Sequence, residues 1–407
     1  MSLTKIEQLF KAKLTQLQQQ GISKGDEKII TGRQAATDGF GPRYFLEGYP
    51  DQAFLRMNSN SYLGLAGHPR LIKAEAEAAE QFGTGPGAVR FISGTYRAHV
   101  ELEKQLAGFH GREAAMIMSA AYATMMGVLP QFISDETLVV SDALNHNCII
   151  NAIRLAHPVR KEVYAHLDID ALERILEANK GQVKRVCVVT DGIFSMRGDH
   201  APLDRINACC RRHEAGYEEG IITVVDDSHG VGAFGRTGRG TEEYTGAKAD
   251  ILIATLGKAF GVNGGYVAAS SAVVAYLRET APLYIYSNPI TPAEAAAAMA
   301  ALDIADSPEG ARLLEKLRSL SARLRSGLER LGFETLPGEH PIVPVLIRDT
   351  EKTSALAAHL FAHRILATGL NYPVVPKGEQ EIRLQVAADH TDKDMDYVLA
   401  ALAKFNP

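Results

Sequence analysis

Residues 221–258 read IITVVDDSHGVGAFGRTGRGTEEYTGAKADILIATLGK. Two short apolar runs, IITVV and ILIAT, lie near its two ends. The first stops at Asp226-Asp227-Ser228-His229 and the second passes into Thr255-Leu256-Gly257-Lys258. A short, continuous run rich in Val and Ile is how a strand buried on both faces reads. Working outward, five more such runs lie between about Glu113 and Ser270: AAMIMS, TLVVSD, KEVYAH, RVCVVTDG and GGYVAAS. Several segments between them, such as Asp168–Asn179 and Leu203–His213, are long enough for crossover helices. The pattern predicts an α/β fold, a mostly parallel sheet covered on both faces.

The sequence after Thr291 has a different rhythm. Thr291-Pro292-Ala293-Glu294 reads as a helix start, with an N-cap, a proline in the first turn and an acid three residues on. Leu313, Leu317, Leu320, Leu324, Leu328 and Leu331 follow helical spacing up to Gly332. Two further runs, IVPVLIRD and EIRLQVAA, flank another helical stretch, so this tail is expected to form a smaller α+β domain.

In parallel sheets, ligands gather beyond the carboxyl ends of the strands. Five run ends carry polar residues: Ser119, Ser141-Asp142, Asp191, Asp226 to His229, and Thr255 to Lys258. A lysine after a buried strand is, taken alone, most often a solvated loop residue. Near a strand-end acid it suits a Schiff base, because burial lowers an amine's pKa and makes it a nucleophile toward carbonyls. The acid would keep a heteroaromatic nitrogen protonated, and Thr255 with nearby amides would serve a phosphate. This combination describes pyridoxal phosphate. Gly230-Val231-Gly232-Ala233-Phe234-Gly235 also satisfies the G-x-G-x-x-G spacing of dinucleotide sites. It is followed by Arg236-Thr237-Gly238-Arg239-Gly240 and not by a helix, so the match is coincidental.

Composition excludes other classes. The 407 residues carry 43 basic and 48 acidic side chains, a formal charge of −5, which does not suit nucleic-acid binding. No apolar run is long enough to span a membrane. Residues 1–20 show helical apolar spacing at Leu3, Ile6, Phe10, Leu14 and Leu17 and lack the features of a secretory signal. Cys148, Cys187, Cys209 and Cys210 show no metal-binding spacing, so no metal is expected, and a reducing, cytoplasmic setting is.

Four segments, VVDDSHGVGAFGRTGRG, TLGKAFGVNGGY, SDALNHNCII and DGIFSMRGDHAPL, resemble the α-oxoamine synthase family of fold-type-I pyridoxal-phosphate enzymes. NSNSYLGLAGHP and VRFISGT near the front, and YPVVPKGEQEIRLQVAADHT near the back, extend the resemblance to roughly residues 45–395. It implies a mostly parallel seven-stranded sheet between helices, with a smaller C-terminal domain. The expected boundaries are an N-terminal helix and arm over 1–59, a large cofactor domain over 60–290 and a small α+β domain over 291–407.

The resemblance also implies roles. Lys258 is the Schiff-base lysine that moves the Cα proton. Asp226 pairs with the pyridine nitrogen, His229 with the phenolic oxygen, and His146 stacks on the ring. Ser195 reaches the cofactor or substrate. Thr255 and the amides near Ala121 and Tyr122 hold the phosphate, and the Tyr122 ring also touches the cofactor. Arg383 and Asn60 bind the amino-acid carboxylate. A homodimer with a shared site is implied, in which Ser287 reaches the other subunit's phosphate. The sequence departs from the family pattern at Met125, where an asparagine is usual in one branch, and at Pro86 in the glycine-rich segment from Gly83 to Ala88.

The implied reaction joins an acyl-CoA to a small α-amino acid, glycine or alanine first, and releases CoA with or without decarboxylation. A serine-using, long-chain member and a fold-type-I aminotransferase are the alternatives. A non-catalytic partner subunit would lack Lys258.

Overall fold

All seven apolar runs are strands of one sheet in the computed structural model, which describes residues 2–20, 23, 27–372 and 374–405. Pro373, within the YPVVPKG motif, lies outside the described residues. The strands are β1 (Ala114–Met118), β2 (Thr137–Asp142), β3 (Arg160–Tyr164), β4 (Arg185–Asp191), β5 (Ile221–Asp226), β6 (Ile251–Thr255) and β7 (Gly265–Ala269), in the order β1-β7-β6-β5-β4-β2-β3. β7 runs antiparallel to both β1 and β6, and the remaining pairs are parallel. The cause is local: residues 256–264 are too few to carry the chain back to the other end of the sheet.

Successive residues serve opposite faces. Val139, Cys187, Val189, Val224, Ile251 and Ile253 belong to one core cluster. Leu138, Val140, Val186, Val188, Val225 and Leu252 belong to the other. Both faces are therefore apolar, which is why the strands read as continuous runs. Register brings Asp191 directly opposite Asp226 at the carboxyl edge.

The chain divides into two compact units, and the division corrects the expected boundary at residue 291. Residues 60–321 and 337–341 form the larger unit; residues 1–59, 322–336 and 342–407 form the smaller. Helix Pro292–Ala305 begins as expected, with Thr291 and Glu294 exchanging capping hydrogen bonds of 2.7 and 3.0 Å. It then packs against helices Pro69–Phe82 and Arg97–His110 of the larger unit. Its buried Ala295, Ala297, Ala298 and Ala301 allow close backbone approach on more than one side.

The first 59 residues belong with the tail because Tyr49–Arg56 pairs in parallel with Ile365–Leu366. The runs IVPVL and EIRLQ are antiparallel neighbours in the smaller unit's second sheet. In helix Pro308–Arg330 the buried stripe is Leu314, Leu317, Leu320, Leu324 and Leu328. Leu314 thus takes the place expected of Leu313, and Leu331 is exposed. Helix Ser2–Gln19 forms as expected, with Leu3, Ile6, Phe10, Leu14 and Leu17 exposed. Among the described residues no helix is long and apolar enough to cross a membrane.

Candidate active site

The carboxyl ends of β4, β5 and β6 open onto a cavity of about 260 Å³. Asp191, Asp226 and Thr255 come from the strand ends themselves, and Ser228, His229 and Lys258 from the turns that follow. Ala121 and Tyr122 enter from the first turn of helix Ala121–Val128, and His146 and Cys148 from the start of helix Asn147–Ala156. Ile193 and Ser195, after β4, complete the lining. The other two polar run ends, at Ser119 and Asp142, are not part of it.

A wider groove of about 960 Å³ lies at the opposite edge of the sheet. Its Lys248 is bound to the carbonyls of His110 and Gly111, and its Asp250 to Thr223. It gathers no comparable lysine–acid–histidine set.

Adjacent acids do different work after β5. Asp226 Oδ1 accepts the Ser228 N–H at 3.1 Å, which turns the chain and sends His229 toward the cavity. Asp227 is buried and accepts from the Thr241 N–H at 2.6 Å and its hydroxyl at 2.7 Å. Burial pushes the Asp227 carboxyl up to about 7, against the pull of those two bonds. Gly240, at φ +84°, closes the loop so tightly that a Cβ there would sit 2.0 Å from Asp227 Oδ2. The G-x-G-x-x-G match is thus part of a loop folded around a buried carboxylate.

His146 caps helix Asn147–Ala156: its Nδ1 accepts the Cys148 N–H at 3.2 Å, and its backbone N–H donates to Asp191 Oδ2 at 2.8 Å. Burial, with the Lys258 charge, lowers the His146 pKa, and Asp226 opposes this in part. The ring is therefore neutral at neutral pH and suited to stacking. Tyr122 stands edge-on to it, 6.3 Å between centroids, and its hydroxyl donates to Asn147 and accepts from Asn151. The Cys148 thiol donates to Asp226 Oδ2 at 3.4 Å. Burial and the neighbouring Asp226 hold Asp191 well above the usual carboxylate range.

Eight of the expected site residues thus line one cavity: Lys258, Asp226, His229, His146, Thr255, Ser195, Ala121 and Tyr122. The Thr255 hydroxyl also closes its own turn, donating to the Gly264 carbonyl and accepting the Gly257 N–H, both at 3.0 Å. Asn60 is one step removed, its Oδ1 3.4 Å from the Tyr62 hydroxyl, which itself touches His229. Ser287 lies beyond the lining, between helices Pro282–Ile285 and Pro292–Ala305. Arg383 is on strand Glu381–Gln385 of the smaller unit. The departure at Met125 points away from the chemistry, since that side chain is buried in the core cluster under the helix. Sequence reasoning missed Tyr62, Cys148 and Ser228. Cys148 and Ser228 had local signals, the first two residues past His146 at a helix start and the second inside the Asp226–His229 strand end.

Residues 52–402 match the family described as aminotransferase class I and II. The chain is 39% identical to the 8-amino-7-oxononanoate synthase of Geobacter sulfurreducens over 393 residues, 96% of each chain. It is 40% identical to 8-amino-7-oxononanoate synthase 1 of Bacillus velezensis over 351 residues, 86% of this chain and 87% of that one. The chain belongs to the α-oxoamine synthase family. The family's fold is shared with a solved serine palmitoyltransferase from S. paucimobilis, with a TM-score of 0.87 at 24% identity, covering 98% of this chain and 97% of that one.

Membership in this family makes the protein a pyridoxal-phosphate-dependent acyltransferase, and the cavity fits that cofactor. An amine, a carboxylate and an imidazole line it together, and Ser228 Oγ is buried there with no hydrogen-bond partner among the described residues. Helix Ala121–Val128 has no side-chain cap, so its first-turn amides are available to an anion. Gly265 lets that helix come close, since a Cβ there would lie 2.3 Å from the Ala121 nitrogen.

Proposed function

We propose that this protein condenses a small α-amino acid, alanine before glycine, with an acyl-CoA. The Cα–C(acyl) bond forms as the thioester C–S bond breaks, CoA leaves as the thiol, and the carboxylate departs as carbon dioxide to give an α-amino ketone. The observation that carries this reading is Lys258 in one cavity with Asp226, His229 and His146. Alanine is favoured because the relatives' product, 8-amino-7-oxononanoate, ends in a methyl beside its amino carbon, as decarboxylated alanine would supply.

Pyridoxal phosphate, when bound, supplies an electron sink for negative charge at Cα. Lys258 takes the Cα proton and later returns it. Asp226 would hold a proton on the ring nitrogen, His229 would bond the phenolic oxygen, and the neutral His146 ring would cover the ring face. Ala121, Tyr122 and Thr255 would hold the phosphate, and Ser195 lines the same cavity. Arg383 presents a planar fork to the substrate carboxylate, with Asn60 as its partner.

A homodimer is part of the proposal. Phe91, Ile92 and Tyr286 stand exposed, and the Arg90 guanidinium over the Tyr284 ring at 5.5 Å places these two stretches in one region. Ser287, next to Tyr286, would reach the partner subunit's phosphate from there. The four cysteines, all buried and unpaired, agree with a reducing cytoplasmic setting.

The test is CoA release and product mass spectrometry with alanine, glycine and serine against acetyl- to palmitoyl-CoA. A decarboxylated amino ketone from alanine is expected. A serine product with long chains would move the protein to the other branch. No CoA release across the panel would overturn the synthase reading, and keto acid formation without CoA would mark an aminotransferase.

A further inference from the structure

Helices Ile169–Ala178 and Leu203–His213 pack side by side over one face of the seven-stranded sheet. Glu173 and Glu177 stand four residues apart on the first, and Cys209 and His213 four apart on the second, so each pair shares one helix face. The packing joins those faces. One ligating atom each from Glu173, Cys209 and His213 lies within 4.8 Å of the other two. Cys209 is wholly buried and His213 nearly so, whereas the Glu173 side chain is 40% exposed. The group therefore has a dry floor and an opening to solvent. None of these residues lines the cavity that contains Lys258.

A thiol, an imidazole and a carboxylate are the donors zinc takes, whereas magnesium and calcium demand oxygen alone. Around a tetrahedral ion with bonds of about 2.0–2.3 Å, neighbouring donor atoms lie roughly 3.3–3.7 Å apart. Glu173 Oε1 and His213 Nε2 are already 3.2 Å apart, and side-chain shifts of about 1 Å close the rest of the triad. The other side of the imidazole is also prepared. His213 Nδ1 is buried with no hydrogen-bond partner among the described residues, and Glu177 Oε2 lies 3.2 Å from it. A metal-bound histidine gives its second N–H to such a carboxylate, which fixes the ring. Arg212 now donates to Glu173 Oε1 at 2.9 Å, and Lys180 to Glu177 Oε2. Both pairs are exposed and weak, so they yield to a metal bond. The spacing of the cysteines alone does not reveal this set, because its other members are a histidine one turn on and acids of another helix.

We propose that Glu173, Cys209 and His213 bind a zinc ion, with water as the fourth ligand and Glu177 orienting the imidazole. Cys209 binds as the thiolate, its proton passing to solvent. The ion ties helix Ile169–Ala178 to helix Leu203–His213 and so stabilises the layer that covers this face of the sheet. The site is separate from the catalytic cavity and does not depend on the reaction assigned to it.

The test adds zinc alone to the chelator-treated, cofactor-loaded protein, with cobalt(II) as a coloured substitute. Dialysis and elemental analysis should find one zinc per chain that Cys209→Ala and His213→Gln each weaken by about 100-fold or more, and Glu177→Gln by about tenfold. Cobalt should show the visible bands of a tetrahedral ion together with a thiolate-to-cobalt band that Cys209→Ala removes. The melting temperature should rise by about 3 °C at zinc a hundredfold above its Kd, and not in Cys209→Ala or His213→Gln. A cobalt spectrum without the thiolate band, or zinc affinity unchanged in Cys209→Ala and His213→Gln, overturns the proposal. Should the buried Cys209→Ala not fold, the half-exposed Glu173→Gln takes its place: affinity lowered by about tenfold or more supports the site, and unchanged affinity overturns it.

Discussion

Two clusters of acids and histidines sit along the same sheet edge and do opposite things. At the end of β2, Asp142 Oδ1 accepts from His166 Nδ1 at 2.9 Å and from the Leu144 N–H at 2.8 Å, and Oδ2 accepts the Leu167 N–H at 3.0 Å. His166 Nε2 donates to Asp199 at 3.2 Å. Burial alone would lower the His166 pKa, but the bonds to Asp142 and Asp199 outweigh it and raise it to about 9. At the ends of β4 to β6, the His146 pKa is lowered instead, and Ser228 Oγ has no partner among the described residues. The residue types are alike. One cluster spends its hydrogen bonds on holding loops in place, and the other keeps polar atoms turned toward a cavity.

The largest expected effect separates the two clusters outright. Lys258→Ala should lower kcat by about 10³-fold or more and abolish the lysine-linked visible absorbance, because nucleophile and proton carrier are lost together. Asp226→Asn should lower kcat by roughly 10²-fold with the fold intact, measured as turnover alongside a thermal melt. Loss of stability without a specific loss of turnover would make Asp226 a structural acid like Asp142. The converse applies at β2: Asp142→Asn should cost on the order of 3 kcal/mol in denaturant unfolding and leave turnover near normal.

The smallest effect is a pH dependence. A histidine whose folded pKa is about 9, against an unfolded value near 6.5, stabilises fully below about pH 6.5. That contribution is lost as pH rises through 9. Melting temperature should therefore fall by a few degrees over this window, and His166→Gln should flatten the slope. An identical slope in His166→Gln would show that the cluster is not held by charge.

Much of this was legible in the chain. The inner runs became strands because a sheet covered on both faces needs apolar residues at every position, as RVCVV in β4 shows, whereas the edge strand β3, RKEVY, is mostly exposed. Asp226 and Lys258 were legible because one ends a strand and the other lies in the turn after one, and in a parallel sheet those ends share one edge. Thr291 and Glu294 announced a helix start, since a capping box is a local interaction. What failed was non-local. Tyr62 meets His229 across 167 residues and His340 meets it across 111, and no periodicity records where a chain returns. The helix Pro292–Ala305 was assigned to the tail because it follows the sheet in sequence, whereas its alanine faces bind it to helices made far earlier. Leu313 and Leu314 were interchangeable to the sequence pattern, and the packing chose the second.

The short return at residues 337–341 bears on how the chain is made. The turn carrying His229 is synthesised about a quarter of the chain before His340, which donates to its carbonyl. A nascent chain that has passed β7 already holds every strand of the sheet, yet it lacks this clamp. Likewise, strand Tyr49–Arg56 pairs locally with Arg43–Leu46, but its other edge waits for Ile365–Leu366. Because ordering such long loops delays the contacts that repay it, the sheet should protect its amides from exchange before the His229 turn does, and the Leu55 and Met57 amides, which donate to the Arg364 and Leu366 carbonyls, should be among the last.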